Sequence, residues 1–132
     1  MTYKLILIED DPIFTFLLEK AIKKANLNGR TTAFTNGSTA IEFLKKDYNE
    51  EENFVLFLDL NMPLMNGWQF MELFKTFADP ANCSVFILTS SKNQMDIDIL
   101  MENPLVADFI SKPISELTME KIKEMIDAKF GG

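Results

Sequence analysis

The sequence predicts an α/β fold: a doubly wound, five-stranded parallel sheet with helices on both faces. Three observations carry that expectation. Apolar runs of strand length occur five times. Each is followed by a stretch with helical periodicity, in steps of roughly 25 residues. Repeated βα units place their strands in parallel and bury both faces of the sheet under helices. The chain has 132 residues with no linker and no change of composition, so one domain over residues 1–132 is expected.

The elements follow in order. Residues 5–8, Leu-Ile-Leu-Ile, read as the first strand, closed by Glu9, Asp10 and Asp11. Pro12 suits the first turn of a helix and Asp11 the N-cap before it. Ile13, Leu17, Ala21 and Ala25 recur at helical spacing, with Lys20, Lys23 and Lys24 toward the end that favours cations. Asn28-Gly29 is expected to end that helix. Residues 30–34 form a Thr-rich strand candidate, Asn36-Gly37-Ser38 a turn, and residues 39–46 a helix burying Ala40, Ile41 and Leu44. A polar loop, 47–53, leads to the third strand at 54–58.

Asn66 and Gln69 have the residue types of a capping box, opening a helix expected to reach Phe77. Asp79-Pro80 stops it. The fourth strand is expected at 84–88, ending in Thr89-Ser90-Ser91. A weaker helix follows over 92–102, whose Met95, Ile97, Ile99 and Met101 make a poor apolar stripe, suited in part to a partner. After Asn103-Pro104 comes a fifth strand at 106–110, then Ser111-Lys112-Pro113. A last helix is expected from residue 115 or 116 to 129, with Leu117, Ile122, Met125 and Ile126 on its core side.

Composition excludes several classes of chemistry. No histidine is present, which removes Ser-His-Asp and Cys-His triads and histidine metal sites. The single Cys83 cannot form an internal disulfide and reads as a structural thiol. A net charge of −7 argues against direct nucleic-acid binding, which needs a basic footprint. No apolar run approaches a membrane span, and the N-terminus lacks the features of a signal peptide, so a soluble cytoplasmic protein is expected. The twelve Phe and eight Met are assigned mainly to the core, and Trp68 either to packing or to covering the site.

In a parallel sheet the carboxyl ends of all strands share one edge, where open α/β folds bind ligands. Asp10 and Asp11, then Asp59, Thr89 and Lys112 stand behind four of the apolar runs. Each residue alone has a bland structural explanation: a helix cap, a turn, a backbone hydrogen bond, a solvated lysine. Together they converge on one edge. Three carboxylates against one lysine leave about two negative charges, which suits a divalent cation, and all-oxygen ligands favour Mg²⁺, with Mn²⁺ as the alternative. A carboxylate beside such an ion, a lysine and a threonine hydroxyl is equipped to attack phosphorus.

These residues carry a resemblance. Ile8-Glu9-Asp10-Asp11, Leu58-Asp59-Leu60-Asn61-Met62-Pro63 with Asn66-Gly67, Thr89-Ser90-Ser91 and Ser111-Lys112-Pro113 resemble the motifs of response-regulator receiver domains, the CheY-like modules of two-component signalling. The resemblance implies a flavodoxin-like (βα)5 fold with strand order 2-1-3-4-5. It implies Asp59 as phosphoacceptor, with Thr89 and Lys112 contacting the phosphoryl group. It implies Asp11 as a direct Mg²⁺ ligand, Asp10 as a ligand through water, and the backbone carbonyl of Asn61 completing the set. Thr89 and Phe109 would form the switch, Lys112-Pro113 a cis peptide bond, and Asn61 and Ser91 the positions that tune dephosphorylation. Asn66 stands where the family often has Asp, and Phe109 lacks a tyrosine hydroxyl.

The expected function is therefore that of a single-domain receiver. It takes a phosphoryl group from a histidine kinase or histidine phosphotransfer protein and signals by protein contact through helix four, strand five and helix five, or by onward phosphotransfer. It is expected to be a monomer or weak dimer, and not a turnover enzyme. A pure interaction module would not need the full acidic set. A phosphohydrolase of the haloacid-dehalogenase type usually carries a second Asp two residues after the nucleophile, where this chain has Asn61. A flavodoxin-like cofactor protein would need a phosphate loop after strand one, where carboxylates stand.

Overall fold

The computed structural model describes residues 3–27, 29–90 and 93–131. Asn28, expected at the end of the first helix, Ser91, expected as a tuning position, and the expected helix start at Lys92 lie outside them. The elements alternate as predicted: β1 (Tyr3–Ile8), α1 (Pro12–Lys24), β2 (Gly29–Phe34), α2 (Gly37–Asp47), β3 (Phe54–Asp59), α3 (Gly67–Phe74), β4 (Cys83–Thr89), α4 (Gln94–Met101), β5 (Val106–Ser111) and α5 (Glu116–Phe130). All five strands are parallel, in the order β2-β1-β3-β4-β5. This is the flavodoxin-like, CheY-like arrangement. Among the described residues no helix is long and apolar enough to cross a membrane.

Every residue of β3 and β4 is buried, as a strand covered on both faces requires. Alternation along each strand then sorts side chains into two compartments. Leu5, Leu7, Val55, Phe57, Phe86 and Leu88 face α1 and α5. Ile6, Ile8, Leu56, Leu58, Val85 and Ile87 face α2, α3 and α4.

The helices differ from expectation in phase. In α1 the buried residues are Phe14, Leu18 and Ile22, while Ile13 is 71% and Leu17 52% exposed. Two i, i+4 sets offset by one residue fit the same periodicity, and the bulkier set fills the space against the sheet. In α5 the buried set is Met119, Ile122, Ile126 and Phe130, and Leu117 and Met125 are exposed. In α4 only Leu100 is buried, which accounts for its poor stripe.

Helix ends are set by caps. Asn66 and Gln69 form the expected reciprocal box, with hydrogen bonds of 2.9 and 3.0 Å. That helix stops at Phe74, short of Phe77. The first helix ends earlier than Asn28-Gly29. Asn26 adopts a left-handed φ of 58°, the Leu27 amide donates to Ile22 O and the Asn26 amide to Lys23 O. That is a Schellman motif, with Leu27 and Ile22 as its apolar contact. Gly29 serves β2 instead: a Cβ there would meet the Leu5 side chain at 2.7 Å and Tyr3 O at 2.8 Å.

The amino-terminal edge of the sheet is closed by a polar knot. The Tyr48 hydroxyl donates to Asn82 Oδ1 at 2.6 Å and accepts from the Asp79 amide at 2.8 Å. Asn82 Nδ2 donates to the carbonyls of Asn49 and Glu52. The knot ties the loop after α2 to the loop before β4. Tyr48→Phe strands the buried Asn82 carbonyl, and we expect a loss of about 1–2 kcal/mol in urea denaturation. Mg²⁺ affinity should not change, because the knot lies at the opposite end of the strands from the site.

Candidate functional site

The last residues of the strands and those just after them build the site. Glu9 follows β1, Asp59 ends β3, Thr89 ends β4 and Lys112 follows β5. Glu9 is 1% exposed, Asp59 4% and Thr89 5%. The Lys112 ammonium forms an ion pair with Glu9 Oε1 and lies 3.5 Å from Asp59 Oδ2. The Lys112 amide donates to Thr89 O at 3.0 Å, which ties the two strand ends together. The Lys112-Pro113 peptide bond is cis. The Asn61 amide donates to Asp59 Oδ1 at 3.2 Å. Phe109 is half-buried, packed against the compartment beneath α4.

The acidic set differs from expectation by one residue. Carboxylate oxygens of Glu9, Asp10 and Asp59 lie within 4.8 Å of one another, a spacing that could hold a metal ion. Asp11, expected as a direct ligand, is not in that cluster. Its Oδ1 accepts the amides of Ile13 at 2.9 Å and Phe14 at 3.4 Å, so the carboxylate is committed to the N-terminus of α1. Glu9 takes the inner place. Its Oε2 accepts the Asp11 amide at 3.1 Å while Oε1 meets Lys112. The signal for this was in the sequence: an Asp before Pro at a helix start caps that helix, which leaves Glu9 and Asp10 as the clustered acidic pair, one residue nearer the strand.

Burial pushes the Glu9 carboxyl up to about 7, against the pull of Lys112 and the Asp11 amide, with the Asp59 charge adding to the rise. Three acidic groups and one lysine in so small a space leave a deficit of positive charge, and the donor set fits a divalent cation bound by oxygen.

The amino end of α3 lies directly on the Asp59 backbone. A Cβ on Gly67 would meet Asp59 O at 2.7 Å and Leu60 Cα at 2.8 Å. Gly67→Ala is expected to cost about 1–3 kcal/mol and to displace the Asp59 and Leu60 amide resonances, read by urea denaturation and an amide NMR spectrum. Trp68, next along α3, lines a groove between α3 and α4 with Met71, Ile99 and Leu105 and packs against the compartment beneath those helices. Cys83 is buried, and burial drives its thiol far up, so it is an inert structural residue as expected.

Comparison with known proteins agrees with the fold. The chain is 25% identical over 126 residues to the probable methanogenesis regulatory protein FilR2 of Methanothrix harundinacea, covering 91% of this chain and 81% of that one. It is 23% identical over 130 residues to the uncharacterized transcriptional regulatory protein YvcP of Bacillus subtilis, covering 98% of this chain but 51% of that protein, about half its length. The crystal structure of a two-component response regulator from Cytophaga hutchinsonii superposes with a TM-score of 0.81 at 28% identity, covering 93% of this chain and 95% of that one. Residues 5–127 match the family described as the response regulator receiver domain, and the chain belongs to that family.

Proposed function

We propose that this domain is a Mg²⁺-dependent phosphoacceptor that takes a phosphoryl group onto Asp59 from a phosphohistidine of a partner protein. The observation that carries this reading is the convergence of Glu9, Asp10, Asp59, Thr89 and Lys112 on one sheet edge. The donor histidine must belong to another chain, because this one has none. An Asp59 carboxylate oxygen bonds to phosphorus as the N–P bond breaks, and the electron pair leaves with the imidazole nitrogen. The product is an acyl phosphate.

Glu9, Asp10 and Asp59 are the side chains that would hold the ion, with the Asn61 carbonyl as a further ligand. When bound, Mg²⁺ neutralises charge on the transferring group. Lys112 meets a phosphoryl oxygen, and the Thr89 hydroxyl donates to another. Phe109, half-buried at β5, follows Thr89 inward and shifts the face formed by α4, β5 and α5. Exposed Met95, Ile99 and Leu117 supply apolar surface on those helices for a downstream protein. We place the domain in the cytoplasm, with a histidine kinase or phosphotransfer protein as donor and no catalytic turnover of free substrates.

Incubation with Mg²⁺ and acetyl phosphate tests this directly. Intact mass should rise by one phosphoryl group in the wild type and stay unchanged in Asp59→Asn or in the presence of EDTA. A wild type that never gains the group, or an Asp59→Asn protein that still does, overturns the assignment.

A further inference from the structure

Among the described residues three groups hold the Lys112 ammonium, and the third is not a carboxylate. Besides Glu9 and Asp59, its ammonium lies 4.5 Å from the centroid of the Phe14 ring. Phe14 is 8% exposed and belongs to the compartment under α1 and α5. We propose that Phe14 is a positioning residue: its ring face seats the Lys112 ammonium between Glu9 and Asp59, ready for an incoming phosphoryl group. The proposal rests on the phosphoacceptor reading of Asp59.

The physical case starts from lysine itself. Its ammonium is a compact, strongly hydrated charge on a flexible four-carbon stem, and nothing in the stem fixes where the head stands. At this strand end the Lys112 side chain is 20% exposed, so most of its water has been replaced by protein. Two carboxylates pair with the head. The Phe14 ring face is a third contact, and the negative potential over an aromatic face is worth most where water is excluded.

Attraction to a ring face is also less directional than a hydrogen bond. The ammonium can therefore pivot from Glu9 toward a phosphoryl oxygen without leaving its seat. That matters when Asp59 gains phosphate, because the added negative charge lies beyond the carboxylate that Lys112 first faced.

The ring is itself aimed. Phe14 sits three residues after Asp11, whose carboxylate accepts the Phe14 amide. The helix cap that removes Asp11 from the acidic cluster thus fixes the start of the helix carrying the lysine's seat. Simple core filling would explain the burial of Phe14, but it would make Lys112 indifferent to the electronic character of the ring.

Fluorinated phenylalanines separate the two. Mono-, di- and trifluorophenylalanine placed at position 14 of the full chain keep the ring's shape while weakening the potential over its face stepwise. The rate of phosphorylation by acetyl phosphate with Mg²⁺ should fall along the series, by about three- to tenfold in all, with unchanged unfolding midpoints. In wild-type protein the Lys112 ε protons should resonate upfield from the ring current, and in Phe14→Leu they should return to free-lysine positions. Ile22→Val, which trims the same compartment without touching Lys112, should lower stability and leave phosphorylation at the wild-type rate.

A flat rate across the fluorinated series, with wild-type protein phosphorylated normally, overturns the seat. So do ε protons at free-lysine positions in the wild type, or an Ile22→Val protein slowed as much as Phe14→Leu. Wild-type protein that gains no phosphoryl group overturns the phosphoacceptor reading, and the seat with it.

Discussion

Asp10→Asn is expected to weaken Mg²⁺ binding at least about tenfold, and Asp11→Asn to leave it nearly unchanged. The two residues are neighbours with the same side chain, and only the geometry separates them. An Asp10 carboxylate oxygen lies within the 4.8 Å cluster that includes Glu9 and Asp59. Asp11 spends its carboxylate on the amides of Ile13 and Phe14. Asparagine caps helices about as well as aspartate, so Asp11→Asn keeps that job, and the lost charge is exposed and screened by salt. Asp11→Ala, by contrast, should cost about 1 kcal/mol of stability through the lost cap. Calorimetric Mg²⁺ titration of the first two variants, with urea denaturation of the third, checks the assignment. Equal losses of affinity at positions 10 and 11 would return Asp11 to the metal site.

Glu9→Gln is expected to change how stability depends on pH. Burial raises the Glu9 carboxyl to about 7 in the folded protein, above its ordinary value of 4.5. The folded state therefore holds this proton over a window in which the unfolded chain has released it. The contribution is fully present below about pH 4.5 and is lost as pH rises through about 7. In EDTA, the wild type should lose on the order of 2 kcal/mol between pH 5 and pH 8 from this group, and Glu9→Gln should show a flatter profile. Mg²⁺ favours the charged carboxylate, so adding it at pH 8 should restore wild-type stability and do little for the variant. Denaturation at several pH values, with and without the ion, reads both effects. Parallel profiles for the two proteins in EDTA would show that Glu9 does not titrate in this window.

The features legible in the sequence were those that a strand imposes. Asp59, Thr89 and Lys112 each stand at or just after the end of an apolar run, and parallel pairing leaves such positions one edge to share. The sheet order followed from the family resemblance carried by those same residues.

What the sequence left open was phase. Ile13 and Leu17 form as good a stripe as Phe14 and Leu18 until the sheet is present to choose between them. Leu117 and Met125 failed for the same reason in α5. The choice between Glu9 and Asp11 was also one of phase, by a single residue at a strand-to-helix junction. There the cap signal of Asp11 and the acidic-pair pattern competed for one side chain, and the helix amides held it. The Phe14 ring beneath Lys112 had no sequence signal, because an aromatic on a buried helix face reads as core whatever lies above it.

Among the described residues the two apolar compartments share no side chain. The backbone of the sheet is the wall between them, with α1 on one side and α4 on the other. Free-energy changes from substitutions on opposite sides should therefore nearly add, since coupling needs a shared contact or cavity. That independence gives the fold a form of modularity. Residues around α1 can drift to suit a new partner while the packing under α4 stays as it was, and the reverse holds for α4. Variation can explore the two faces separately, as long as the strand ends that meet at Asp59 are left alone.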